Sequence, residues 1–207
     1  MEAAAHTSQT KPSRGATAEA FLDAAERLLV EVGHAGISTR RLAAEAGANQ
    51  GLVHYYFGSL DELFVQVLER FTERLVSRQR EMYGAEGPFI EKWRTAWRFQ
   101  EEDLQAGYSK IWMELQALSW NHPALRPRVA RVNAEWRAVL REAYVRAAGE
   151  YGLDEDELSV DALVAMTMTF GQGFALERLE GIDEGHGELL DWIERWLVSL
   201  EERRRTA

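Results

Sequence analysis

The 207-residue chain contains no cysteine, only four prolines and no apolar run near the length of a membrane span. The lack of cysteine excludes disulfides, thiolate nucleophiles and cysteine-based zinc sites. A bilayer-spanning helix needs roughly 20 apolar residues, so we predict no contact with a membrane. The first 15 residues are small and polar and lack the apolar core of a signal peptide, which predicts a cytoplasmic protein.

Positive charge is also scarce, because the net charge of the chain is −10. Residues 1–60 carry five basic and six acidic side chains, whereas residues 61–207 carry 19 and 28. The acidity therefore lies in the C-terminal part. At physiological salt the Debye length is about 8 Å, so these acids are largely screened from a DNA-facing surface in the first part. Charge alone leaves open an acidic protein with no nucleic-acid partner.

Apolar residues recur at helical spacing along nearly the whole chain. The first such pattern spans residues 17–32 and begins its apolar face at Phe21 and Leu22. Further helical patterns cover residues 61–83, 89–105, 108–120, 124–151, 158–180 and 187–203. No stretch shows the sustained alternation that is typical of a strand, so we predict an all-α fold.

Residues 38–57 have the sequence STRRLAAEAGANQGLVHYYF, which predicts two short helices joined by a turn. Leu42 and Ala43 form an apolar face on the first helix. Gly47 suits a positive φ in the turn, and Asn49 can cap the second helix. The second helix carries hydroxyl, imidazole and amide groups in a segment too short to form a core. This pattern is typical of a helix-turn-helix whose second helix enters the DNA major groove.

Over about residues 16–64 the sequence resembles the DNA-binding domain of the TetR family of transcriptional repressors. The residues that carry the resemblance are Gly36, Ser38, Leu42, Ala43, Ala46, Gly47, Asn49, Gly51, Phe57, Ser59 and Leu63. The resemblance implies an N-terminal three-helix head and a C-terminal helical bundle. It also implies a homodimer formed by the last two helices and a ligand pocket in the bundle that controls DNA affinity.

The resemblance implies DNA contacts at individual positions. These are Ser38, Thr39, Arg40, Gln50, Gly51, Leu52, His54, Tyr55 and Tyr56. Hydroxyls at a helix N-terminus suit phosphate, arginine suits guanine or phosphate, and glutamine suits adenine. His54 stands where the family usually has Tyr, and Leu60 where it usually has Lys, which removes one phosphate contact. Lys11 or Arg14 in the N-terminal arm is a hypothetical replacement that would reach the minor groove.

Other positions near the turn keep two interpretations. Arg41 is either a solvated charge or a phosphate ligand, and Tyr56 is either a DNA contact or a core residue. His54 is either a phosphate contact or a buried, hydrogen-bonded histidine. We assign Val53 and Phe57 to the core of the head.

The C-terminal part is rich in aromatic and methionine side chains, which suit a pocket for a bulky hydrophobic ligand. The predicted ligand-binding residues are Trp93, Trp97, Trp112, Met113, Gln116, Trp120, Trp136, Met166 and Phe170. Trp112 and Gln116, one helical turn apart, form the preferred pair. The alternative is that these side chains form an ordinary core.

The last two helical patterns are apolar on more than one face, whereas a helix buried on one side needs only one stripe. We therefore predict a four-helix homodimer interface. Its predicted residues are Leu163, Phe174, Arg178, Leu189, Trp192, Ile193 and Trp196. The alternative is a larger internal core without a dimer.

An enzyme is the rival class of protein, but its motifs are missing. The histidines His6, His34, His122 and His186 stand apart, and no HExxH, GxSxG or phosphate-binding loop is present. We predict no enzymatic activity, no metal and no cofactor.

The sequence predicts a ligand-responsive transcriptional regulator, foremost a repressor. It would bind a palindromic double-stranded DNA operator as a homodimer and be released by a small hydrophobic effector. The predicted organisation is a flexible arm over residues 1–15, a DNA-binding domain over 16–60, and a ligand-binding and dimerisation domain over 61–207. The alternative is a helical-bundle carrier or sensor of hydrophobic ligands without operator-specific DNA binding.

Overall fold

The computed structural model describes residues 14–153, 156 and 158–206. In this part of the chain the regular structure consists of nine α-helices and one 3-10 helix, without strands. The predicted all-α fold is therefore confirmed. The chain divides into two compact units, Met1–Val67 and Leu68–Ala207, and the long helix α4 contains the boundary.

The first unit is a small helical head with its own apolar core. Its elements are α1 (Arg14–Val32), a 3-10 helix (His34–Gly36), α2 (Thr39–Glu45), α3 (Gly51–Phe57) and the first turns of α4 (Leu60–Gly84). Phe21 of α1 is fully buried, and its ring lies edge-on to that of Phe57 at 6.1 Å between centroids. Val53 and Leu63 are fully buried in the same unit. These four side chains hold the short helices on α1.

Helix α1 begins at Arg14, so the last two residues of the predicted arm are helical. Residues 1–13, including Lys11, lie outside the described residues. The side chain of Arg14 lies outside them as well. The proposed minor-groove contact by Lys11 or Arg14 therefore stays a hypothesis.

The second unit is a helical bundle. It contains the rest of α4, then α5 (Phe89–Gln105), α6 (Tyr108–Asn121), α7 (Arg126–Tyr151), α8 (Val160–Leu179) and α9 (His186–Thr206). Its core joins buried side chains of α4, α5, α7, α8 and α9, among them Val76, Ile90, Val139, Val164 and Leu197. Among the described residues, no helix is both long and apolar enough to cross a membrane.

Ion pairs tie the helices of the second unit together around this core. Arg128 of α7 donates from Nε to Glu69 of α4 at 2.8 Å, and Arg131 donates to the same carboxylate at 2.6 Å. Arg94 of α5 donates to Glu194 of α9 at 2.6 Å. The hydrogen bond from Arg128 lowers the pKa of the Glu69 carboxyl, partial burial opposes this change, and Arg131 reinforces it.

The two-arginine contact makes the stability of the bundle depend on pH. A carboxyl whose pKa falls on folding stabilises the folded state above its unfolded pKa, and this stabilisation is lost as the pH falls through the folded value. We expect Glu69→Gln to lower the free energy of unfolding by about 1 kcal/mol near neutral pH, with the loss shrinking below about pH 4.5.

Urea denaturation of wild type and variant across that pH range measures this difference. Glu73→Gln is the matched control, because Glu73 is exposed on the same helix. A difference for Glu69→Gln that stayed constant with pH would contradict the assignment.

Candidate DNA-binding surface and ligand cavity

Side-chain caps and two glycines build the helix-turn-helix of the head. Ser38 precedes α2, and its Oγ accepts the N–H of Arg41 at 3.2 Å. Gly47 adopts φ +62 in the turn, and Asn49 Oδ1 accepts the N–H of Gly51 at 2.8 Å. Gly58 ends α3 with φ +77. The predicted turn glycine and the predicted Asn49 cap are confirmed by these contacts.

Helix α3 has one buried face and one exposed face. Val53 is fully buried and Phe57 is 6% exposed, as predicted for core residues. On the opposite face Gln50, His54 and Tyr55 are exposed. Because the buried pair fixes the rotation of the helix about its axis, these polar side chains are held in solvent.

The remaining predicted DNA contacts fall into two groups. Ser38, Arg40 and Gly51 are exposed, whereas Thr39, Leu52 and Tyr56 are half-buried. The ring of Tyr56 lies 6.4 Å from that of Phe21 and 5.1 Å from that of Tyr55. Tyr56 therefore packs on the core and also borders the surface, and its DNA contact stays a prediction.

His54 is exposed, which is inconsistent with the alternative of a buried histidine. Its Nδ1 lies 2.8 Å from the carbonyl oxygen of Gly58. A carbonyl only accepts, so Nδ1 carries the proton and the ring is held by the end of α3. Nε2 is then the ring nitrogen that remains for a ligand. It donates to a phosphate only when the ring is protonated.

The arginines of the head have different surroundings. Arg27 donates from Nε to Glu45 at 3.0 Å, and Arg41 lies 3.6 Å from Glu31. Arg40 is exposed, and no ion pair joins it to another residue in the described part of the chain. The guanidinium of Arg40 is thus available for an external anion, whereas Arg41 already has an acidic neighbour.

The second unit contains a cavity of about 580 Å³ among its helices. Seven of the predicted ligand-binding residues line it, namely Trp93, Trp97, Trp112, Met113, Trp136, Met166 and Phe170. The rings of the wall meet at steep angles: Trp97 lies 6.3 Å from Trp93 at 66° and 5.4 Å from Phe170 at 63°. The predicted aromatic residues therefore surround open space instead of filling it.

The structure corrects two predicted ligand-binding residues. Gln116 does not line the cavity, and the side chain of Trp120 is 66% exposed. Helix α6 reaches the cavity only through its first two turns, from Tyr108 to Met113, so positions further along the same face lie beyond it. Of the preferred pair, Trp112 lines this cavity and Gln116 does not, and the binding of a ligand by Trp112 stays a prediction.

Two polar side chains of the wall were not among the predicted ligand-binding residues. Gln100 and Asp103 of α5 line the cavity, and Asp103 accepts two hydrogen bonds from Arg78 at 2.7 and 2.8 Å. Burial raises the pKa of Asp103, and the contact with Arg78 opposes that rise. Both residues continue the helical face of Trp93 and Trp97, so extending that stripe along α5 would have found them.

The predicted interface residues divide between interior and surface. Leu163 and Phe174 are buried inside the second unit, with exposures of 6% and 5%, so their side chains do not reach the surface proposed for a partner. Phe174 packs instead on His186 at 4.7 Å between ring centroids. Arg178 donates to Glu101 at 3.2 Å, an intramolecular contact.

The other predicted interface residues lie around the mouth of the cavity. Leu189, Trp192, Ile193 and Trp196 all line it, and Leu189 and Trp192 are also exposed. Helices α8 and α9 carry five exposed large apolar side chains, named together the exposed apolar face: Met166, Leu176, Leu179, Leu189 and Trp192. Met166, Leu189 and Trp192 thus belong both to this face and to the wall of the cavity.

Residues 21–67 match the sequence model of a family described as bacterial regulatory proteins, tetR family. The chain is 26% identical to the nucleoid occlusion factor SlmA of Vibrio cholerae over 147 residues, which cover 67% of this chain and 74% of SlmA.

Two solved structures have the same fold. The fatty acid degradation regulator FadR from Bacillus halodurans superposes with a TM-score of 0.71 at 17% identity, covering 91% of this chain and 96% of FadR. A candidate transcriptional regulator from Saccharomonospora viridis, in complex with choline, has a TM-score of 0.69 at 17% identity, covering 91% and 97%.

The division between buried and exposed side chains at α3 predicts unequal effects on stability for substitutions at Val53 and Gln50. Val53→Ala leaves a cavity under α3 and should lower the stability of the head by about 2 kcal/mol. Gln50→Ala removes an exposed side chain and should change it by less than about 0.5 kcal/mol. Hydrogen exchange of the α1–α3 amides measures both effects, and equal protection in the two variants would contradict the burial described above.

Proposed function

We propose that this chain, whose residues 21–67 match the model of the tetR family of bacterial regulatory proteins, is a ligand-responsive transcriptional repressor. It binds a palindromic operator as a homodimer, and a small hydrophobic effector releases it. The observation that carries this proposal is the exposed polar face of α3, whose opposite face is buried through Val53 and Phe57, together with the exposed Arg40 of α2.

The head supplies the chemistry that major-groove readout requires. Arginine recognises guanine by two hydrogen bonds, and glutamine recognises adenine in the same way, so Arg40 and Gln50 are the proposed base readers. Ser38 and Thr39 stand at the N-terminus of α2, where hydroxyls and free N–H groups suit phosphate. Because Leu60 replaces a basic residue, few positive charges of the head contact phosphate. We therefore expect the affinity for DNA to fall only slowly as the salt concentration rises.

The exposed apolar face of α8 and α9 supports the proposed homodimer. A twofold copy of the face would cover Trp192 and Leu189 on both subunits and form a four-helix interface. The interface is isologous, so each subunit presents the same residues to its partner. Two heads then need a separation of about 34–36 Å to meet successive major grooves.

The cavity supports the proposed effector site. Its volume of about 580 Å³ suits a small molecule, and the relative from Saccharomonospora viridis binds choline in the same fold. An effector that binds better to dimers with incorrectly spaced heads shifts the population away from the DNA-competent state. Helix α4 is the proposed lever, because it contributes residues to both units.

Operator binding is tested with DNA from upstream of the gene that encodes this chain. Arg40→Ala and Gln50→Ala should each weaken binding by at least about tenfold, since each removes one bidentate base contact. Arg146→Ala is the matched control, because it removes the same charge from an exposed position of α7. Fluorescence anisotropy at low ionic strength measures the affinities.

The same titration separates the repressor from the alternative function. A carrier or sensor of hydrophobic ligands would bind this DNA no better than unrelated DNA, and Arg40→Ala would lose no more affinity than Arg146→Ala. That outcome would reject the proposed repressor.

The proposed dimer is tested by placing a charge on the apolar face. Trp192→Glu should convert a dimer into a monomer in sedimentation velocity at micromolar concentration, since it buries two unpaired carboxylates across the twofold axis. Trp120→Glu is the control, because Trp120 is similarly exposed but lies on α6. If the wild-type protein sedimented as a monomer, or if the two variants sedimented alike, the proposed interface would be refuted.

A further inference from the structure

We propose that the cavity selects a lipophilic cation, a ligand with a delocalised or quaternary positive charge on an apolar body. This inference rests on the proposed function, because it names the chemical class of the proposed effector. It follows from which side chains line the wall and which do not.

The wall provides aromatic faces in unusual number. Six of the seven tryptophans in the chain line the cavity, namely Trp93, Trp97, Trp112, Trp136, Trp192 and Trp196. Indole is the ring that binds a cation most strongly, and the attraction grows when the cation is removed from water. The edge-to-face contact of Trp93 with Trp97 braces these rings before a ligand arrives.

The charged residues of the wall also favour a positively charged ligand over a negatively charged one. Of the described residues that line the cavity, none is lysine, arginine or histidine, and Asp103 is the one acidic residue. A carboxylate or phosphate ligand would lose its hydration without gaining a basic partner, which is costly in an apolar site. A diffuse cation loses less hydration and gains the indole faces.

The surroundings of Asp103 maintain this preference. Arg78 holds both carboxylate oxygens and also lies 3.7 Å from Glu102, so the guanidinium has two acidic neighbours. Arg98 also lies 3.8 Å from Glu102, so these charges balance; Arg78 does not line the cavity, and the wall presents no uncompensated positive charge to a ligand. The excess of acidic residues over residues 61–207 adds a negative field that attracts cations to the bundle.

The volume sets the size of the ligand. At about 580 Å³ the cavity lies inside the range of about 300–1,000 Å³ that is usual for sites of drug-sized molecules. Two wall residues, Trp192 and Met166, are exposed, so the cavity is not sealed from solvent. A compact cation with several aromatic or aliphatic groups therefore matches the site in both size and charge.

A pair of ions with one shape and opposite charges tests the proposal. Isothermal titration calorimetry of the full chain compares tetraphenylphosphonium with tetraphenylborate, and we expect the cation to bind at least about tenfold more tightly. Equal affinity, tighter binding of the borate, or no binding of the cation would overturn the proposal.

A single substitution in the wall should reverse the preference of the cavity for the cation over the anion. Gln100→Lys places a base in the wall one helical turn from Asp103, so it should weaken the cation at least about tenfold and strengthen the anion. Gln105→Lys is the matched control, because it makes the same charge change on α5 outside the cavity. If both variants lost cation affinity equally, or neither did, the cavity would not be the site.

Operator affinity, measured alongside, distinguishes this inference from the proposed function. Specific DNA binding that tetraphenylphosphonium leaves unchanged, in a protein that does not bind the cation, would reject the ligand class and keep the regulator. If the ligand-free protein bound operator DNA no better than unrelated DNA, the proposed regulator would be rejected, whatever the cavity binds.

Discussion

The N-terminal head depends on one packing contact, that of α3 with α1. A helix of seven residues is too short to be stable alone, because nucleation costs more than its few hydrogen bonds return. Burial of Val53 and Phe57 against Phe21 supplies the missing free energy. The same burial fixes the rotation of the helix, so the residues that stabilise α3 also determine which side chains face the solvent.

In the bundle, tryptophan side chains line the cavity, whereas surface ion pairs connect neighbouring helices. The pairs from Arg128 to Glu69, and from Arg94 to Glu194, tie neighbouring helices at the periphery. Inside, indole rings that meet at steep angles line a gap among the helices. A cavity therefore remains in a unit that also has a well-packed apolar core.

The proposed dimer and the proposed effector site share residues. Trp192, Leu189 and Met166 line the cavity and are exposed on α8 and α9. A partner that covers this face would also cover one side of the cavity, and a ligand that moves these side chains would alter the surface offered to the partner. The two equilibria would then be linked by the same side chains and not by a distant relay.

The sequence alone determined the features that depend on near neighbours along the chain. It predicted the all-α fold, the Gly47 turn, the Asn49 cap and the buried positions of Val53 and Phe57, because caps and helical faces are set within a few residues. Tertiary structure decided how the apolar residues of the bundle are used. Leu163 and Leu189 look alike in the sequence, yet one is buried and the other exposed, and Gln116 lies beyond a cavity that Gln100 and Asp103 line. A core, a cavity and an interface use the same residue types, so only the packing of whole helices against one another separates them.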